Sequence, residues 1–453
     1  MIAVGHPARA IWAANARLAA LGVGLTVLTL ATPSLHLEGS GWALIAAFAL
    51  GGLAAWSAPR LAGDADQRSA LLIILCGAVA MRLALLPVEP YLSSDIYRYI
   101  WDGRVQAAGI NPYRYVPAAP EVAHLRDAAI FPNINRASYA VTIYPPVAQA
   151  FYLVVTRLGE SLLVMKLALL VCEAGTVAVL LALLARQGLP PTRIATYAWH
   201  PLPVWEIAGN GHVDAAMIAL LMASVLLFVR GRTLLAGIAA TLGALVKPVA
   251  LLALPVFWRP WDWRLPLIVG VTAGLAYLPY LSVGAGVLGF LPGYLDEEGF
   301  TAGAGSGFKL LWLLERLTGP LPHAAALYIG LAAVTLACLA LAAGLRCNRS
   351  QAASIRWLGW LLTAFLVLAS PHYPWYFLVL VPFLALAPSA TGWVLTLGSV
   401  LFYNVLSSDV LPSYEARLTA FTLAMLAALA TDAWRARRAT AHIAQAIPAG
   451  ETS

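Results

Sequence analysis

The chain has 453 residues, 61% of them hydrophobic and 11% charged, and its mean hydropathy is +0.79. An ordinary globular domain is about 25% charged, so this composition excludes a water-soluble protein and makes lipid part of the solvent. The net charge of +7, from 28 Lys+Arg against 21 Asp+Glu, reads as basic residues marking the cytoplasmic face; no nucleic-acid partner is expected.

The apolar runs are long, rich in Leu and Ala, and without a period of two, which selects helices over strands. The expected fold is all-α, a polytopic transmembrane bundle of about 12–14 membrane helices, some broken or re-entrant. In chain order the candidate spans are Ile11–Thr32, Gly41–Trp56, Ala70–Leu86, Leu162–Leu184, Arg193–Ala208, Val213–Val229, Leu265–Leu281, Ala324–Leu345, Ile355–Ala369, Tyr373–Leu386, Gly392–Leu406 and Ala416–Thr431. Arg9 and Arg17 lie near the start of the first, which reads as a retained span and not as a cleaved signal. Pro146–Leu158 is short for a crossing, and Thr233–Trp258 is broken at Lys247-Pro248.

If neither of those two pieces makes a net crossing, the basic clusters fall on one face. They are Arg60/Arg68, Arg186/Arg193, Arg230/Arg232, Arg259/Arg264, Arg346/Arg349/Arg356 and Arg435/Arg437/Arg438. That face is the cytoplasm by the positive-inside rule. The loops Pro87–Pro146 and Ser282–Pro322, and the turns Ser370–Tyr373 and Ser407–Tyr414, then face outward. Cys76, Cys172, Cys338 and Cys347 are scattered, with neither metal-ligand spacing nor a disulfide framework. Residues 439–453 are expected to form a disordered cytoplasmic tail.

The first outer loop is too long for a mere connector. Its segment Ser93-Ser94-Asp95-Ile96-Tyr97-Arg98-Tyr99-Ile100-Trp101-Asp102-Gly103-Arg104 puts Asp95, Arg98 and Asp102 on one side at helical spacing. The pattern predicts a helix at the membrane surface with its polar face toward a cavity. Gly109-Ile110-Asn111-Pro112-Tyr113 is a helix stop, Ile134-Asn135-Arg136 follows, and Thr142-Ile143-Tyr144-Pro145-Pro146 returns to the membrane. Ser-Ser-Asp before such a run is also a common helix cap, so local sequence leaves Asp95 open between a cap and a general base. Asn would replace a cap at little cost but would not replace a base.

Polar groups inside apolar runs are costly and usually functional. The densest cluster is Glu206-Ile207-Ala208-Gly209-Asn210-Gly211-His212-Val213-Asp214, where the glycines read as a helix-to-helix turn. His212 has no second His or Cys at metal spacing. Lys247 lies mid-run, where a cation suits a phosphate or a partner carboxylate. Ser370-Pro371-His372-Tyr373-Pro374-Trp375-Tyr376-Phe377 is an interfacial aromatic cluster in which His372 is the polar member of interest. Asp296-Glu297-Glu298 reads as a solvated patch, and Glu173 lies inside a span and needs a partner.

Taken together these segments resemble the GT-C class of integral-membrane glycosyltransferases, and more narrowly its bacterial polyprenyl-phosphate-mannose-dependent mannosyltransferase-like group. Ser94–Tyr99 with Trp101-Asp102-Gly103, Gly109–Tyr113, Tyr144-Pro145-Pro146, Ala208–Asp214, Lys247-Pro248 and Pro371–Tyr376 carry the resemblance. One departure is Ser94-Asp95, where the family often has two adjacent acids, so only Asp95 carries over as the loop carboxylate. The resemblance implies one transmembrane catalytic domain over residues 1–438, in a bacterial inner membrane, with its active site facing the periplasm. Asp95 would deprotonate an acceptor hydroxyl that attacks the sugar of a polyprenyl-phosphate donor with inversion.

Arg98, Lys247, His372 and Tyr376 are the candidate donor phosphate or sugar ligands. Asp102, Tyr144, Glu206, Asn210, His212 and Asp214 are the candidate acceptor or cavity-lining residues. No cofactor is required by this scheme, no metal ligand is assigned, and a divalent metal remains compatible with it. Partners are the lipid-linked donor, membrane lipids and an acceptor of unassigned chemistry (lipid, glycan or protein). Broken helices and midplane charges also suit a transporter or flippase of a lipid-linked or anionic substrate, although the long aromatic loop and the lack of an internal repeat weigh against it. A scaffold explains little of the buried charge.

Overall fold

A computed structural model describes residues 7–63, 65–300, 307–346, 350–403 and 411–446. Every regular element among them is helical. The first six α-helices are α1 Pro7–Leu37, α2 Gly41–Leu61, α3 Gln67–Leu85, α4 Asp95–Ala107, α5 Pro146–Leu158 and α6 Leu162–Arg186. Eight helices are long and apolar enough to cross a membrane: α1, α2, α3, α6, and the segments Arg264–Glu297, Ala324–Leu345, Gln351–Ala369 and Tyr414–Arg438. Shorter apolar helices, Asp214–Val229, Thr233–Ala244, Pro248–Phe257, Pro374–Leu386 and Ala390–Phe402, complete the polytopic bundle.

Several helix starts are written locally. Asp66, Ser161, Ser350 and Ser389 each accept a hydrogen bond from the backbone N–H three residues on, opening α3, α6, Gln351–Ala369 and Ala390–Gly398. Between helices the packing is close. Trp199 lies against Gly22 of α1 and Gly77 of α3 and donates its indole N–H to Ile74 O at 2.8 Å.

Three expectations need correction or completion. Arg193–Ala208 is not a simple span. It breaks at His200-Pro201, where His200 is extended before a proline, and resumes as a π-helix over Val204–Gly209. The break at Lys247-Pro248 forms as expected, between Thr233–Ala244 and a 3-10 turn at Pro248–Leu252. The last helix runs Tyr414–Ala446, so the tail expected to be disordered begins as helix, and residues 447–453 lie outside the described residues. Arg349, Cys347 and residues 407–410 of the Ser407–Tyr414 turn also lie outside them.

Glu173 finds its partner in Arg82 of α3, with Nη2–Oε1 at 2.6 Å and Nε–Oε2 at 3.2 Å. The third Arg82 nitrogen, Nη1, donates to Ala198 O, tying the first part of the broken segment to α3. Both side chains are buried, where an unpaired charge would be prohibitive.

Candidate active site

The long loop Pro87–Pro146 folds down onto the bundle. Its helix α4 forms over the predicted stretch but does not lie on a surface: Tyr99, Ile100, Trp101 and Asp102 are all at most 1% exposed. It packs on α5, α6 and the 3-10 turns at Pro120–Leu125 and Phe131–Asn133. Burial is tolerated because its charges are matched. Arg98 Nε lies 2.8 Å from Asp102 Oδ1, an (i, i+4) pair, and a second Arg98 nitrogen donates to Ala140 O at 3.1 Å. Gln149 of α5 donates to Asp102 Oδ2 at 3.0 Å and to Thr142 Oγ1 at 2.8 Å. Arg98 is therefore committed inside the loop and does not face the centre as a free cation.

Asp95 is the first residue of α4, and Ser94, not Asp95, occupies the cap position. The Asp95 carboxylate points instead into the site. Asn135 Nδ2 donates to its Oδ1 at 2.8 Å, and Tyr144 OH donates to its Oδ2 at 3.3 Å. Burial and the Asp95 charge hold the Tyr144 phenol well above its usual range, so it remains a donor. The helix N-terminus adds a favourable dipole for the carboxylate. The cap alternative for Asp95 thus gives way to a carboxylate oriented by two neutral donors and 19% exposed.

Beneath Asp95 lies the turn from the π-helix to the helix Asp214–Val229. Gly211 makes it with φ of +71°, and a Cβ there would overlap Ile96 of α4. This close approach brings His212 Nδ1 to 4.0 Å from Asp95 Oδ2. His212 Nε2 lies 3.0 Å from Glu206 Oε2, close enough for an ion pair but out of line for a hydrogen bond. The ring stacks on Trp375, centroids 4.3 Å apart. Glu206 also accepts from Tyr403 OH. Asn210 is structural: its Oδ1 accepts from the backbone N–H of Tyr91 and Leu92 at 3.2 and 2.9 Å, fixing the start of the outer loop.

Lys247 emerges at the helix break with its Nζ 2.8 Å from both Asp214 oxygens and 4.2 Å from the centre of the Tyr376 ring. Its side chain is 15% exposed against 2% for Asp214. Tyr376 OH in turn shares a hydrogen bond with Tyr294 OH at 2.7 Å. His372 is placed otherwise than expected: Nδ1 pairs with Glu298 Oε2 at 2.8 Å and Nε2 meets Gly307 O at 3.0 Å. It fastens the loop that carries Glu298. Glu297 pairs with Arg136 Nε at 2.6 Å and accepts from Tyr139 OH at 2.9 Å. Glu297 and Glu298 are therefore clasps between loops; Asp296 and Glu297 keep the exposure expected of a solvated patch, and Glu298 is buried.

The structure brings together Asp95, Tyr144, Glu206, His212, Asp214, Lys247 and Tyr376, and sets Arg98, Asp102, Asn210 and His372 around them in supporting contacts. Sequence reasoning gave no site role to Asn135, Trp375, Tyr294 or Tyr403. Asn135 stood in a polar motif of the right loop, whereas nothing near Tyr403 signalled a bond to a residue 197 positions away. Among the described residues no three His, Cys, Asp or Glu side chains converge in metal-holding geometry.

Residues 14–264 match the family model described as alpha-(1->6)-mannopyranosyltransferase, N-terminal domain. The chain belongs to this family. The mannosyltransferase resemblance read from the motifs is borne out, and the matched region holds Asp95, Tyr144, Glu206, His212, Asp214 and Lys247. A stretch of 184 residues is 27% identical to Alpha-(1->6)-mannopyranosyltransferase A of Mycobacterium tuberculosis (strain ATCC 25618 / H37Rv), covering 40% of this chain and 34% of that relative. The matched stretch thus spans about a third of that relative's length. No solved structure matches the chain.

Proposed function

We propose that this protein transfers a mannosyl unit from a polyprenyl-phosphate donor to a hydroxyl acceptor at the outer face of a bacterial inner membrane, with inversion. The family name suggests an alpha-(1->6) bond, hence O6 of a sugar as the attacking atom. Asp95 takes the proton of that hydroxyl as its oxygen bonds to the anomeric carbon. The bond from that carbon to the phosphate oxygen breaks on the opposite face, and the phosphate leaves with the electron pair. Lys247, steadied by Asp214 and partly exposed, meets the charge developing on the phosphate. A donor of this kind is already activated, so the reaction needs no cofactor.

One observation carries this reading. Among the described site carboxylates, Asp102 and Asp214 are neutralised by Arg98 and Lys247. Asp95 is held by neutral donors and is the more open to a substrate. It retains the charge and the access that a general base requires.

The test is transfer from synthetic polyprenyl-phosphate mannose by purified protein, wild type beside Asp95→Asn. The amide keeps the shape and cannot take a proton, so turnover is expected to fall at least a hundredfold with donor binding retained. Full turnover in Asp95→Asn would remove it from the base role. Donor binding without turnover by wild type, across many acceptors, would favour transport instead.

A further inference from the structure

His212 is 1% exposed, yet neither ring nitrogen makes a hydrogen bond. A buried imidazole is ordinarily satisfied, so the orphaned nitrogens ask what the ring does there. It stands between two carboxylates, Asp95 Oδ2 at 4.0 Å from Nδ1 and Glu206 Oε2 at 3.0 Å from Nε2. Trp375 covers one face of the ring and fixes its plane. The Gly211 turn beside it cannot relax, because α4 closes on it. Glu206 is 0% exposed and held by Tyr403, so its own position is fixed.

We propose that His212, as an imidazolium shared by Asp95 and Glu206, is a positioning residue that keeps Asp95 ionised and ready to accept the acceptor's proton. The inference rests on the assignment of Asp95 as base. Its physical content is charge balance. Carboxylates on opposite sides of one buried ring, at 4.0 and 3.0 Å from its two nitrogens, disfavour each other's ionised form, and a cation between them relieves this. The other charged or titratable groups facing this centre are Tyr144, Tyr99 and Tyr152 toward Asp95, Tyr403 and Tyr91 around Glu206, and the Asp214–Lys247 pair. The tyrosines are neutral donors or bystanders, and the Asp214–Lys247 pair has no net charge. That leaves His212 as the cation the arrangement calls for among the described residues. No covalent step passes through His212: the proton from the acceptor hydroxyl resides on Asp95 and leaves to solvent after the product departs.

The test is the pH profile of kcat/KM for mannosyl transfer in wild type, Asp95→Asn, His212→Asn, Glu206→Gln and the double variant His212→Asn/Glu206→Gln. In His212→Asn the acid limb should move up by at least about one pH unit, a roughly tenfold loss below the limb that disappears at high pH. Adding Glu206→Gln should return the limb toward wild type, because the repelling carboxylate is gone. A merely structural histidine predicts a pH-independent loss that the second substitution deepens, and that result overturns the proposal. An unmoved limb in His212→Asn, with Asp95→Asn inactive, also overturns it while leaving Asp95 as base. Turnover in Asp95→Asn instead overturns the base assignment itself. If His212→Asn does not fold, Glu206→Gln alone decides: the acid limb should move to lower pH, and a fixed limb refutes the arrangement.

Discussion

Asn135→Ala probes the loop's hold on Asp95 without touching the carboxylate. Asn135 reaches across 40 residues of chain to donate to Asp95 Oδ1 at 2.8 Å. A hydrogen bond to a charged group contributes about 1.5–3 kcal/mol. If that contribution is expressed in the transition state, kcat/KM should fall by about 10- to 150-fold. Tyr144→Phe removes the longer 3.3 Å bond and should cost less, nearer the lower end of that range. The assay is initial-rate transfer from a labelled polyprenyl-phosphate mannose, with donor KM measured alongside and folding checked by thermal melt. The loss should appear in kcat, since Asn135 steers the base and not the donor. An Asn135→Ala enzyme within twofold of wild type would refute the idea that the outer loop orients Asp95. A change confined to donor KM would instead assign Asn135 to binding.

Arg82→Met strands a buried Glu173 carboxylate and should destabilise the fold by about 3–5 kcal/mol, read as a lowered melting temperature in lipid nanodiscs. Arg82→Met/Glu173→Leu should recover most of that loss, and a double variant as unstable as the single would contradict this account. Gly211→Ala places a Cβ against Ile96 at a positive φ, so transfer activity should be lost even where the protein still assembles, as judged by size-exclusion elution. Lys309, buried where it donates to Ser370 O at 2.7 Å and Pro371 O at 2.6 Å, has its ammonium pushed down to about 7 by desolvation, opposed by Glu298. Its folded-state value lies below its unfolded one, so the unfolded chain binds more protons between pH 7 and about 10. Wild-type stability should therefore gain up to about 1.4 kcal/mol per pH unit as pH rises through that window, a gain absent in Lys309→Met.

What the sequence could reveal followed the range of the interaction. The Arg98–Asp102 pair was legible as an (i, i+4) spacing, although its consequence, an Arg unavailable to a phosphate, was not. The break at Lys247-Pro248 followed from proline chemistry alone. Glu173 announced that it needed a cation, but the docking of α3 and α6 on the same broken segment chose Arg82, 91 residues away. Lys247 was equally compatible with a phosphate or a carboxylate, and the Gly211 turn settled on Asp214 by placing it at the head of the next helix. The contact of His372 with Glu298 was not legible because Glu298 belongs to a second long loop whose docking no local pattern encodes.

This distinction bears on which carboxylate does the chemistry. Local spacing offers Asp95 and Asp102 in one polar segment and Glu206 and Asp214 in another, and only the family resemblance singles out Asp95. Three-dimensional pairing separates them: Arg98 and Lys247 neutralise two, Tyr403 and full burial sequester the third, and Asp95 keeps neutral donors and an opening. In a low-dielectric site, a carboxylate bonded to an arginine or lysine has little affinity left for a proton, whereas one bonded only by an amide and a phenol, with His212 unbonded at 4.0 Å, keeps more of it. A base that must accept a proton and then release it each cycle needs the second environment. The surrounding ion pairs serve that end by fixing the loops while leaving one carboxylate unspent.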